Sequence, residues 1–254
     1  MRQTFVLKYA FFGPTVESQV KLHRSRFLSA AALLLASTAA HAHDYWFESA
    51  DDDYLLHRGH RFSQHSGSKE VPFEAKIVTG AYCLRQGDSH PRPAATSKGY
   101  PLRIHGPCQA VMVTADSGYW SQTLTGTTNQ PKNKAFGALR SWHAIESVKR
   151  IENWSERLSR PFTEELELIP AENPFALQAK DKLHLIATLG GKPVKGVTVA
   201  YDGDPRGVTG RDGRINVRLR HAGLQVITAS IEQPLDSEMA DKQVRSTILL
   251  FEIK

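Results

Sequence analysis

From Leu183 to Leu189 every second residue is apolar: Leu183, Leu185, Ala187 and Leu189 are set against His184, Thr188 and their neighbours. A period of two buries one face of an extended strand, whereas an amphipathic helix needs apolar residues three and four apart. The same alternation marks Val197 to Tyr201, Arg214 to Leu219, Leu224 to Ile231 and Ser246 to Ile253. Turn chemistry falls between the runs, at Gly190-Gly191-Lys192-Pro193, Asp202-Gly203-Asp204-Pro205, Arg211-Asp212-Gly213 and Ala222-Gly223. Short strands parted by such turns predict a β-sandwich. Residues 166–254 therefore read as one immunoglobulin-like or transthyretin-like domain.

The preceding half is less regular. Strands are predicted at Tyr54 to Leu56, Phe73 to Val78, Leu102 to Ile104 and Ala110 to Ala115, with a polar loop from Ser121 to Lys134. Ser141 to Trp154 places Trp142, Ile145, Val148, Ile151 and Trp154 three apart, as a helix would, but it also alternates, and both readings stand. Ser159-Arg160-Pro161 is the expected hinge. The fold class is thus all-β, with two sandwich-like domains at 43–160 and 161–254, the second immunoglobulin-like or transthyretin-like.

Residues 1–42 have the layout of an export signal. Lys21, Arg24 and Arg26 form a basic region, Phe27 to Ala36 an apolar one, and Ala40 and Ala42 supply the small residues a signal peptidase accepts. Cleavage is expected between Ala42 and His43, which puts the mature protein in the periplasm. The apolar run is about half of the roughly 20 residues that span a bilayer, so a retained anchor is not expected. Residues 1–20 read as an upstream extension of that signal. The net charge of +6 resembles a nucleic-acid binder's until it is divided. The first 42 residues hold five of the 32 Lys and Arg and one of the 26 acids, which leaves +2 for the rest. No stripe for a phosphate backbone remains, and nucleic acid is not an expected partner. The two cysteines, Cys83 and Cys108, both follow the signal and can pair in an oxidising compartment, for roughly 3 kcal/mol of stability.

Cleavage would free the α-amino group of His43 beside its own imidazole, and the two nitrogens can chelate one ion. His57, His60 and His65 lie close behind, in Leu56-His57-Arg58-Gly59-His60-Arg61-Phe62-Ser63-Gln64-His65. Imidazole and amine nitrogens suit nickel, cobalt or copper. His60 is the first choice among the three, because Gly59 would let the backbone turn toward the ion. The plainer alternative makes all three solvated edge-strand residues. Trp46 and Phe47 are expected core anchors, and Asp51-Asp52-Asp53 a solvated turn without the spaced ligands of a calcium loop. His90, His105, His184 and His221 read as surface or turn residues.

No His-Glu-x-x-His helix, Gly-x-Ser-x-Gly elbow or glycine-rich phosphate loop occurs, so an enzyme is not expected. The surviving enzymatic alternative is a copper-holding amino-terminal histidine brace, as in polysaccharide monooxygenases. A Cu(I) thioether site is not expected, since only Met112 and Met239 follow the signal.

Several blocks together carry a family resemblance. They are His43-Asp44-Tyr45-Trp46, Gly59-His60-Arg61-Phe62, Gly118-Tyr119-Trp120, Ser141-Trp142, Glu146-Ser147-Val148-Lys149, Leu166-Glu167-Leu168-Ile169-Pro170 and Asn173-Pro174-Phe175. Further on come Gly191-Lys192-Pro193-Val194-Lys195-Gly196, Tyr201-Asp202-Gly203, Gly207 to Arg214 and His221-Ala222-Gly223-Leu224. The chain resembles a periplasmic family of unknown-function domains commonly labelled nickel or cobalt uptake components. That resemblance implies a two-part β protein presenting a metal ion to a membrane transporter, with His43 and His60 as the carried-over positions. His57-Arg58 departs from relatives, which are usually less charged there. The alternatives are a periplasmic Cu(II) protein and a metal-free sandwich that binds a partner or glycan.

Overall fold

The computed structural model describes residues 44–61 and 69–254. The signal expected at 1–42, His43 and His65 lie outside them. In chain order the strands are β1 (Asp44–Ala50), β2 (Asp53–Gly59), β3 (Val78–Leu84), β4 (Arg92–Pro93), β5 (Leu102–Ile104), β6 (Ala110–Thr123), β7 (Gly126–Thr128) and β8 (Arg140–Ile151). They continue as β9 (Glu167–Pro170), β10 (Lys182–Leu189), β11 (Lys192–Pro193), β12 (Thr198–Tyr201), β13 (Asp204–Val208), β14 (Arg214–Arg218), β15 (Gly223–Pro234) and β16 (Lys242–Ile253). The only helical turns among the described residues are short 3-10 segments at Ala75–Ile77, Glu156–Ser159 and Pro174–Ala176. None of these could cross a membrane. The all-β, sandwich-like expectation is met.

The organising element is a nine-stranded sheet in the order β13-β12-β15-β16-β8-β6-β3-β4, with β7 added to β6. Its middle is a parallel pairing of β16 with β8, Ile248 against Val148, which joins strands from the two halves of the chain. A three-stranded sheet, β1-β2-β5, and a four-stranded one, β11-β10-β14 with β9, pack against it. Alternation assigns them to opposite faces. On β16, Ile248 and Leu250 join the core with Tyr45, Phe47 and Leu56, while Leu249, Phe251 and Ile253 join the core with Leu183, Leu185 and Val199. On β6, Val111, Val113 and Ala115 face the first core and Ala110 the second. The described residues thus form two sandwiches that share a central sheet. The expected hinge at Ser159-Arg160-Pro161 falls in the loop ahead of β9, and the shared sheet draws strands from both sides of it.

Burial on both faces explains why the helix-or-strand ambiguity at Ser141 to Trp154 resolves as strand. β8 is buried almost continuously from Ala144 to Ile151, as expected for a central strand rather than a half-exposed one. Phe73 to Val78 departs from expectation, because pairing begins only at Val78 and Ala75–Ile77 is a 3-10 turn. Phe73 works instead as a plug, its ring edge-on to Tyr45 at 5.8 Å and to Tyr100 at 5.2 Å. The polar loop expected at Ser121 to Lys134 begins inside β6 and contains β7, which folds back on β6 from Ser121↔Thr128 to Thr123↔Gly126. Cys83 and Cys108 form a disulfide with Cα atoms 5.4 Å apart.

Candidate metal centre

The hairpin of β1 and β2 turns at Asp51-Asp52, both exposed, with Asp51 at φ 57°; Asp53, expected in the same solvated turn, instead opens β2 and accepts from Arg103 Nη1 at 3.1 Å. Register pairs Asp44 with Gly59 and Trp46 with His57. Alternation then sends Tyr45, Phe47, Leu56 and Arg58 toward the central sheet, and Trp46, Glu48 and His57 to the outer face. Residues 69–71 pair alongside the end of β2, through a backbone bond from Val71 N to the Arg58 carbonyl at 2.7 Å and an antiparallel bridge between Gly59 and Glu70, which puts the Glu70 side chain on the same face as His57.

Gly59 is needed here for a reason other than the one read from sequence. A side chain at this position would run into the Lys69 carbonyl, so glycine makes room for the segment paired alongside β2. His60 N donates to that same carbonyl at 3.1 Å.

His57 is 8 % exposed, so a solvated edge-strand role does not describe it. Its ring stacks on Trp46 with centroids 5.5 Å apart and planes 10° from parallel. Nδ1 lies 2.6 Å from Glu70 Oε1, which also accepts from the Tyr100 hydroxyl at 2.8 Å. These two bonds, His57 first, hold the Glu70 carboxyl below the usual carboxylate range. Burial, and then Glu70 itself, push the Tyr100 phenol up to about 12. In the tautomer that donates Nδ1–H to Glu70, Nε2 carries a lone pair, and this buried atom has no hydrogen-bond partner among the described residues.

The group facing Nε2 is Glu48 Oε2, at 3.6 Å. The other oxygen of that carboxylate, Oε1, is already engaged by Arg61 Nη1 at 2.8 Å and Trp46 Nε1 at 3.2 Å. In that tautomer two acceptors face each other, at a separation close to the ~3.4 Å edge between tetrahedral ligands each ~2.1 Å from one ion. The carboxylate behind His57 is the usual means of fixing a ligating imidazole. Among the described residues no three His, Cys, Asp or Glu side chains converge as a complete set of ligands. A second histidine would have to come from His60, one residue past β2, or from beyond the described residues, where His43 and His65 lie.

A second polar cluster is buried on the inner side of the same hairpin. Glu146 on β8 accepts from the Ser117 hydroxyl, and Arg58 stands 5.9 Å from the Tyr45 ring centre. The Tyr45 hydroxyl approaches Ser117 and Glu146 without meeting either at hydrogen-bonding geometry, and burial raises it well above the usual phenol range. Burial also raises the Glu146 carboxyl, against the opposing pull of Ser117 and Arg58. A raised folded-state value means that the native state favours the neutral acid. Its contribution to stability is therefore greatest below the ordinary glutamate range and is lost as pH rises through the folded value. Glu146→Gln removes this titration, so variant stability minus wild-type stability should rise between pH 5 and pH 8. Urea midpoints at the two values check this, and a flat or falling difference would contradict the assignment.

Of these clustered side chains, sequence reasoning named only His57 as a candidate and did not point to Glu48, Glu70, Tyr100 or the inner Glu146. Only the position of Glu48, two residues after Trp46 on the face of β1 opposite Phe47, carried a signal. Glu70 and Tyr100 arrive through tertiary packing. Two other described histidines are held by carboxylates: His143 bonds Asp116 at 2.8 Å and stacks on Tyr119, and His184 bonds Glu172 at 2.7 Å.

A family model described as a domain of unknown function, DUF4198, matches residues 40–233. No curated protein matches the chain.

Proposed function

The chain belongs to the DUF4198 family of unknown function, and from that premise we propose that it is a periplasmic accessory protein that holds nickel or cobalt for uptake by a membrane transporter. The observation that carries the reading is the buried, unpartnered Nε2 of His57, fixed from behind by Glu70 and facing Glu48 Oε2. A divalent cation relieves the opposition of those two acceptors, and the carboxylates Glu48 and Glu70 favour positive charge beside Arg61. His43, freed by cleavage one residue ahead of Asp44, and His60 supply further nitrogens, with His65 as the other nearby donor. The ion is cargo here. The protein binds and releases it without changing its oxidation state, and membrane passage is assigned to the partner.

The test is calorimetric titration of Ni(II), Co(II) and Cu(II) into protein that starts at His43, beside a version with one added amino-terminal glycine. Micromolar or tighter binding of Ni(II) or Co(II) that the glycine weakens at least tenfold is expected. Copper should also bind, since nitrogen sites generally rank it above nickel. Binding of Cu(II) alone would instead favour a copper protein. No binding of any of the three would leave a metal-free partner-binding sandwich.

A further inference from the structure

The central sheet has a second feature, on the face away from the His57 hairpin. Beside β9, the segment Pro161 to Glu165 overhangs β3 and β6 and leaves an open cleft of about 480 Å³. That volume lies within the range of small-molecule sites. Its lining includes Tyr82, Phe162, Glu164, Glu165 and the hydroxyls of Thr79 and Thr114. The Tyr82 ring lies back along its own strand over Gly80, where any side chain would collide with it. The aromatic surface is therefore laid against the sheet beside the cleft.

The polar groups of the cleft are unbalanced. Thr79 and Thr114 hydroxyls bond each other at 2.9 Å, and the Thr163 hydroxyl accepts from Glu165 N at 3.3 Å. Glu165 is matched by Arg245 Nε at 3.3 Å. Glu164 is exposed at the rim, beside the Gly190-Gly191 turn, and no lysine or arginine lines the cleft. The Lys149 ammonium near the Phe162 ring is held by Glu167. Aromatic faces with a carboxylate rim and no cationic side chain make a site for a ligand that brings donors and positive charge. A neutral sugar would find hydroxyls to bond here but would leave the Glu164 charge unbalanced.

We propose that this cleft binds an organic cation, a primary or quaternary ammonium, with its charge at Glu164 and its alkyl part against Tyr82 and Phe162. The site is separate from the metal centre and stands or falls independently of it. The probe is spermidine, titrated into the mature protein and followed by tyrosine and tryptophan fluorescence and by calorimetry, with glucose as the neutral comparison. Saturable spermidine binding is expected, weakened at least tenfold by Glu164→Gln and by Tyr82→Leu, and unchanged by Glu74→Gln, an exposed carboxylate elsewhere. Glucose should neither bind nor compete. Unchanged melting of the variants separates loss of the site from loss of the fold. Absence of spermidine binding, equal binding by Glu164→Gln and Tyr82→Leu, or competition by glucose would overturn the proposal.

Discussion

Replacing Glu167 by alanine is expected to lower folding stability by about 3–5 kcal/mol, the usual effect of stripping one partner from a buried ion pair. Lys149 Nζ and Glu167 Oε1 are 2.6 Å apart, with side chains 1 % and 0 % exposed. The second carboxylate oxygen accepts from Phe162 N at 2.8 Å and Thr163 N at 3.4 Å. The pair ties the central sheet, through β8, to the four-stranded sheet, through β9. Without Glu167 the ammonium stays buried with no counter-charge and two amides lose their acceptor. For a unit of this size each kcal/mol is worth about 2–4 °C, so the melting midpoint should fall by about 6–20 °C. The double variant Lys149→Met with Glu167→Leu should recover most of the loss, since apolar replacement of a whole buried pair is often neutral. A single variant that melts within a degree of wild type would show the pair to be structurally idle.

Removing the Cys83–Cys108 disulfide should cost about 3 kcal/mol, the loop-closure value for a crosslink spanning a separation of 25 residues. The bridge joins the end of β3 to the loop ahead of β6, and Cys83 is fully buried beneath the β1-β2-β5 sheet. Cys83→Ala with Cys108→Ala, or wild type under reductant, should melt several degrees lower. Unchanged midpoints on reduction would argue that the unfolded chain gains nothing when the crosslink opens.

The strands that alternate cleanly were legible from sequence because only one of their faces is buried. β10, β12 and β14 fall where the period-two runs place them. β8 was ambiguous because a strand buried on both faces loses its alternation, and three-residue spacing then appears by chance. Phe73 to Val78 misled because Phe73 is apolar for plugging aromatic rings, not for pairing. His57 was legible as a ligand type but not as a buried one. Its environment comes from Glu70 and Tyr100, 13 and 43 positions away in sequence, and no local pattern announces such contacts. Gly59 stands out in the sequence as a place where the backbone could turn, whereas the structure uses its missing side chain to admit the Lys69 carbonyl.

The central claim is that His57 is a metal ligand, and the most direct test is Ni(II) titration of mature protein beside His57→Ala, with Glu70→Gln as a third sample. The account predicts micromolar or tighter binding by wild type, a loss of at least a hundredfold in His57→Ala, and an intermediate loss of about tenfold or more in Glu70→Gln, as for other residues that orient a ligating imidazole. Equal affinity in all three, with the variants still folded, would contradict it and would make His57 a structural imidazole held between two carboxylates.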